Sequence, residues 1–89
     1  MNAKKHGRIL DLLKILFLET SRARPMAMPD LLRRMEEEGS PCERTAVYRY
    51  IKTLNEHEIA VRYTPGEGGG YWFAGGWLDG TEPEKEENE

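Results

Sequence analysis

Apolar residues in the first part of the chain recur at helical spacing. Ile9, Leu12, Leu13 and Leu16 follow the i, i+3, i+4, i+7 rule, which predicts a helix over about Lys5 to Leu18 with one apolar stripe. Leu10 and Phe17 fall on a second face, and Ile15 and Leu18 on others. A helix apolar on most sides is either central to a core or shared with a second subunit. Thr20 to Pro25 reads as a polar connector.

A second helix is predicted over about Pro29 to Glu38. Pro29 suits a first helical position, where its missing N–H leaves nothing unpaired, and Asp30 complements the positive end of the helix dipole. Leu31, Leu32 and Met35 form its buried stripe, with Arg33, Arg34 and Glu36 to Glu38 largely outside. Gly39 is placed to end it, because a C-terminal cap often needs a positive φ.

Ser40-Pro41-Cys42-Glu43 matches a capping box, so a third helix is expected to start there and run to about Glu56, spanning about 41–56. Ala46, Val47, Tyr50, Ile51 and Leu54 form its inward face. Thr45, Tyr48, Arg49 and Lys52 cluster opposite, within about 100° of arc on a 3.6-residue wheel.

The remainder reads as extended. Ile59, Val61 and Tyr63 alternate with Ala60, Arg62 and Thr64, the period of a half-buried strand. Pro65 to Gly70 is a turn, Tyr71-Trp72-Phe73 is a β-favouring run, and the two strands form a hairpin with a glycine-rich tip. Gly75-Gly76 is expected to release the chain, and Trp77-Leu78 to fold back onto the first helix as a last apolar anchor.

The length of 89 residues allows one domain, assigned to 1–78, followed by an acidic tail over 79–89. The net charge of -3 conceals a gradient. Residues 1–34 carry 8 Lys and Arg against 3 acids, whereas residues 79–89 carry 6 acids and one Lys. The tail has no apolar residue to repay ordering and is expected to be disordered. It is either a solubilising terminus or a competitor with an anionic ligand for the basic surface.

A single cysteine excludes an internal disulfide, and no stretch reaches bilayer-spanning length. No signal-peptide cleavage pattern follows the first apolar run. The expectation is a reduced, cytoplasmic protein without membrane association.

Enzymatic constellations are missing. His6, His57 and Cys42 have no metal-ligand spacing, and neither a metal nor a cofactor is expected. His57 reads as a surface residue near a helix end. Cys42, placed in the first turn of the third helix, reads as a small packing residue, with a redox role as the alternative. Gly66 to Gly70 precedes a strand rather than a helix, so it is no nucleotide-phosphate loop.

Binding chemistry is better represented. Two helices joined by a glycine-containing turn, the second with an outward Thr/Tyr/Arg/Lys face, make a helix-turn-helix pattern. Arg44 and Arg49 are candidates for base edges in a major groove, because a guanidinium can donate two hydrogen bonds to guanine. Thr45 suits a thymine methyl or a phosphate, and Tyr48 and Lys52 suit phosphates. The plain alternative is a solvated helix face. Gly68 and Gly69 at the hairpin tip have no side chains to hold them off a sugar-phosphate backbone, and Arg62 is placed to contact a phosphate or the minor groove. The plain alternative there is a flexible turn.

Arg44-Thr45-Ala46-Val47-Tyr48-Arg49-Tyr50-Ile51-Lys52-Thr53-Leu54, followed by Gly68-Gly69-Gly70-Tyr71, resembles the N-terminal DNA-binding domain of DeoR-type and WYL-type bacterial regulators. The likeness covers about Arg8 to Phe73. It implies an α+β fold, a three-helix winged helix-turn-helix with a C-terminal β-hairpin wing. Aligned on Tyr48-Arg49, the family's helix-capping Ser falls on Glu43, its Asp on Tyr50, and its helix-ending Gly on Glu58.

The expected function is a sequence-specific regulator of transcription on double-stranded DNA, with the third helix in the major groove and the wing 65–70 beside it. A homodimer through the first helix (Leu10, Phe17) and the Trp77-Leu78 region is the expected assembly. The competing readings are a protein-interaction module of the same fold, or an RNA-binding module with Tyr71, Trp72 and Phe73 exposed for stacking.

Overall fold

The computed structural model describes residues 7–76, and Trp77-Leu78 and the acidic tail lie outside them. Helices α1 (Gly7–Glu19), α2 (Met28–Glu37) and α3 (Arg44–Glu56) are followed by strands β1 (Ile59–Thr64) and β2 (Gly70–Gly76). The strands form one antiparallel two-stranded sheet, so the layout is α+β and winged-helix-like. Among the described residues, no helix is long and apolar enough to cross a membrane.

Leu12, Ile15 and Leu16 of α1 meet Leu31 and Met35 of α2, Val47, Ile51 and Leu54 of α3, and Ile59 and Val61 of β1. Wholly burying side chains such as Leu12, Leu16, Leu31 and Val47 stabilises the fold by about 1.5–3 kcal/mol each. Ile15, assigned to a side face from periodicity, lies in this core, while Ile9 and Leu13 are only partly buried. Leu10 is exposed, which rules out the reading of α1 as buried on every side, and Phe17 rests edge-on against Phe73 with ring centroids 5.1 Å apart.

The turn between α2 and α3 corrects the capping-box expectation. Gly39 adopts φ +86°, with its N–H donating to Glu36 O and the Ser40 N–H donating to Met35 O. This paired arrangement closes the C-terminus of α2. Ser40 is therefore spent on ending α2, and its buried hydroxyl donates to the Asp11 carboxylate on α1. The next helix begins three residues beyond Pro41, at Arg44 rather than 41, with Glu43 as an N-cap that makes no side-chain capping bond. Cys42 accordingly precedes α3 instead of lying in its first turn. A tertiary hydrogen bond has taken the hydroxyl that the local pattern assigned to a cap.

The hairpin is tied down from three directions. The Thr20 hydroxyl donates to Leu16 O at 2.6 Å and accepts from the Phe73 N–H at 2.9 Å, joining the end of α1 to β2. Met26 and Tyr71 exchange both backbone hydrogen bonds at 2.8 Å, so the connector before α2 is joined to β2 by an isolated antiparallel bridge. Gly70 permits this approach, since a Cβ there would lie 2.3 Å from the Met26 carbonyl. Asn55 clamps α3 to β1, accepting from the Val61 N–H at 2.8 Å and donating to its carbonyl at 3.3 Å.

The strand readings need two corrections. Ile59, Ala60 and Val61 are all buried and Tyr63 is exposed, so β1 does not alternate as expected. A register shift between Ala60 and Val61 leaves Ala74 without a directly opposed residue, and Ala60, Trp72 and Ala74 form a second buried cluster. Gly75 and Gly76, read as the point of release, pair with Ala60 and Ile59 and belong to β2.

Between α1 and α2 runs an ionic network. Arg34 grips Glu19 with a two-pronged fork (Nε to Oε1 2.8 Å, Nη2 to Oε2 2.5 Å) and also reaches Glu37 and Glu38. Lys14 pairs with Glu38 at 3.1 Å. The hydrogen bond from Arg34 holds the Glu19 carboxyl below its ordinary 4.5, and Lys14 followed by Arg34 does the same for Glu38. A lowered folded-state value contributes stability that is complete above the ordinary glutamate range and lost as pH falls through the lowered value. Arg34→Met should therefore destabilise the protein near neutral pH, with the difference from wild type shrinking as acid protonates both glutamates. Urea midpoints measured from pH 7 down to pH 3 test this; a constant difference would contradict it.

Glu58 ends α3 at φ +68°, in the left-handed region where a Cβ is strained. Its side chain is exposed. Glu58→Gly should relieve that strain and stabilise by about 0.5–1 kcal/mol, read as a raised urea midpoint. A lowered midpoint would contradict the strain.

Candidate nucleic-acid interface

Packing decides which side of α3 is presented. Ala46, Val47, Ile51 and Leu54 are buried against the core, which leaves Arg44, Thr45, Tyr48, Arg49 and Lys52 exposed as expected. At about 100° per residue, Thr45 and Lys52 lie near the middle of the exposed face, with Tyr48 toward one margin and Arg49 toward the other.

The two margins differ in chemistry. On the Tyr48 side, the wing supplies Tyr63 and Tyr71, whose ring centroids are 4.8 Å apart. Burial and the neighbouring Tyr48 phenol push the Tyr71 hydroxyl above its ordinary range. Tyr48 and Tyr63 remain about half exposed, so this margin is an aromatic shelf with hydroxyls that can donate to phosphate oxygens. On the Arg49 side, a groove of about 330 Å³ opens between the start of α1 and the start of α3. Arg8, Cys42, Glu43, Thr45 and Arg49 are among its walls. The Arg49 guanidinium carbon also lies 5.9 Å from the Tyr50 ring centroid, within cation–π range.

Cations in this molecule are sorted by partner. Lys14, Arg33 and Arg34 are engaged by Glu19, Asp30, Glu37 and Glu38. Among the described residues, Arg8, Arg24, Arg44, Arg49, Lys52 and Arg62 have no carboxylate partner, and four of these six are on the α3 face or at the head of α1. The sequence did not single out Arg8. Its signal was only a basic residue at the head of an apolar helix, and its neighbourhood with α3 is a product of tertiary packing.

The wing positions its candidates unequally. Gly68 is at the exposed tip with open space around it, so nothing in the fold competes with an approaching backbone. Gly69 has a structural reason to be glycine: a Cβ would lie 2.0 Å from the Thr64 carbonyl oxygen. Arg62 stands opposite Trp72 in the strand register, and its Nε is shielded from water without a hydrogen-bond partner. That face of the hairpin points away from Tyr63 and Tyr71, since neighbouring strand residues alternate.

Trp72 is 3% exposed; its Nε1 donates to the Thr64 hydroxyl at 3.1 Å, and the Arg22 guanidinium lies 5.6 Å from its ring. Tyr71 and Phe73 are partly buried. The exposed aromatic run that base stacking by single-stranded RNA requires is therefore not presented. Cys42 packs against the core, and burial pushes its thiol upward, outweighing the opposing influence of Arg8. That is a poor setting for a reactive thiolate. His57 is exposed at the C-cap of α3. Among the described residues, no three His, Cys, Asp or Glu side chains gather at a spacing suited to a metal ion.

Leu10, Phe17 and Leu18 leave an exposed apolar patch on α1, 64%, 45% and 67% accessible respectively. Comparison of the chain with protein-family profiles, with curated proteins and with solved structures finds no match in any of the three.

Proposed function

We propose that this chain is a sequence-specific, double-stranded DNA-binding regulator of transcription, acting in the cytoplasm as a winged helix-turn-helix of the DeoR and WYL type. Helix α3 enters the major groove, with Arg44 and Arg49 directed to base edges and Thr45, Tyr48 and Lys52 to the flanking backbone. The wing tip around Gly68 and Gly69, with Arg62 behind it, lies along the neighbouring groove.

The observation that carries this reading is the sorting of charge. Cations on α1 and α2 are neutralised by glutamates and an aspartate, whereas those on the α3 face and at the head of α1 have no carboxylate partner among the described residues. The exposed acids Glu43, at the N-cap, and Glu56, in the last turn, border that face without pairing with its cations, so what distinguishes it is unpaired charge and not an absence of acids. Two local features agree with the family likeness. Glu43, where the family's capping Ser aligns, is the N-cap of α3, and Glu58, where its helix-ending Gly aligns, has a positive φ.

One module makes few base contacts, and such regulators bind paired half-sites as dimers. The exposed Leu10, Phe17 and Leu18 supply an apolar contact for a second copy. The same patch is what an interaction module would use to dock a different protein.

Selection from random duplex DNA with the purified protein should enrich a palindrome with two half-sites about one helical turn apart. Arg49→Ala should then cost about 1–3 kcal/mol and relax one position of the site. Failure to enrich any duplex contradicts the proposal, and an equal loss on every sequence contradicts base reading by Arg49.

A further inference from the structure

The groove between α1 and α3 has the chemistry of an anion seat. Its lining residues include two arginines from different elements, Arg8 and Arg49, together with Thr45. Two like charges facing one space repel unless an anion comes between them. The Nε of Arg8 is shielded and without a hydrogen-bond partner, as is that of Arg62 on the hairpin. The only carboxylate among the lining residues, Glu43, is exposed and forms no ion pair with either arginine.

The groove also has the right place. It borders the α3 face on the Arg49 side, opposite the margin where Tyr48 meets the wing tyrosines. A helix lying in a major groove has a phosphate strand along each side. The tyrosine shelf and wing serve one strand, which leaves the Arg8 groove for the other.

We infer that this groove is a seat for one backbone phosphate of bound duplex DNA, anchored by Arg8 with the Thr45 hydroxyl as second donor and Arg49 at its edge. The inference rests on the duplex-binding reading and adds to it a contact from α1. Seated in this way, the phosphate fixes how deeply α3 enters the groove, and so sets the register in which Arg49 meets the bases. Arg8 is then a positioning residue that carries no sequence information itself.

Affinity for the selected duplex and for an unrelated one, measured from about 50 to 200 mM salt, tests this. Each phosphate neutralised contributes about 0.9 to the log–log slope. Arg8→Gln should lower the slope by about that amount on both duplexes, Arg8→Lys should keep it, and Arg33→Gln, on the paired surface, should leave it unchanged. In NMR spectra of the wild-type protein, the Arg8 Nε–H signal should move on adding duplex, a readout independent of the folding of any variant. Duplex binding with an unchanged slope in Arg8→Gln and an unmoved Arg8 signal overturns the seat but leaves the DNA reading standing. An Arg8 signal that moves with inorganic phosphate but not with duplex overturns it as a backbone contact. Absence of salt-dependent duplex binding by the wild type overturns the DNA reading itself, and the seat with it.

Discussion

Ala46, Val47, Ile51 and Leu54 press one side of α3 into a core shared with α1, α2 and β1, and the opposite side has no choice but to face solvent. Rotating α3 about its axis would bring Thr45, Arg49 or Lys52 into apolar surroundings, where a charge without a partner is far costlier than any packing gained. This one-sided burial settles which residues can meet a ligand. The hairpin, pinned by Thr20, Met26 and Asn55, then settles what stands beside them.

Charge follows the same division. The α1–α2 side gathers a network centred on Arg34, whose fork on Glu19 is backed by Glu37 and Glu38. The cations of the α3 face and the head of α1 are outside that network. A chain with a net charge of -3 can in this way present a cationic surface locally.

Much of the fold was legible in the sequence because it depends on short-range periodicity. The apolar stripe of the first helix, the two-sided third helix and the glycine-rich hairpin all follow from residues a few positions apart. What escaped depends on residues distant in sequence. Ser40 resembles a helix cap until Asp11, on another helix, takes its hydroxyl. The alternation in β1 fails at a register shift that only the opposing strand reveals. Met26 joins the sheet through backbone groups alone, and its signal is the absence of a side chain at Gly70. In the same way, Thr45, Tyr48, Arg49 and Lys52 could be grouped from spacing, whereas Arg8 enters the site only when α1 crosses beside the start of α3. The wing arginine differs again: Arg62 was legible as a cation, but not as one with a shielded Nε.

The most direct test is to map where duplex DNA touches the protein, by following backbone amide shifts as a duplex is added. The account predicts that changes cluster on Arg44, Thr45, Tyr48, Arg49 and Lys52 and at the wing tip around Gly68, with the α2 surface bearing Arg33 unaffected. Changes confined to the Leu10–Phe17–Leu18 patch, or none on α3 at saturating duplex, would contradict it.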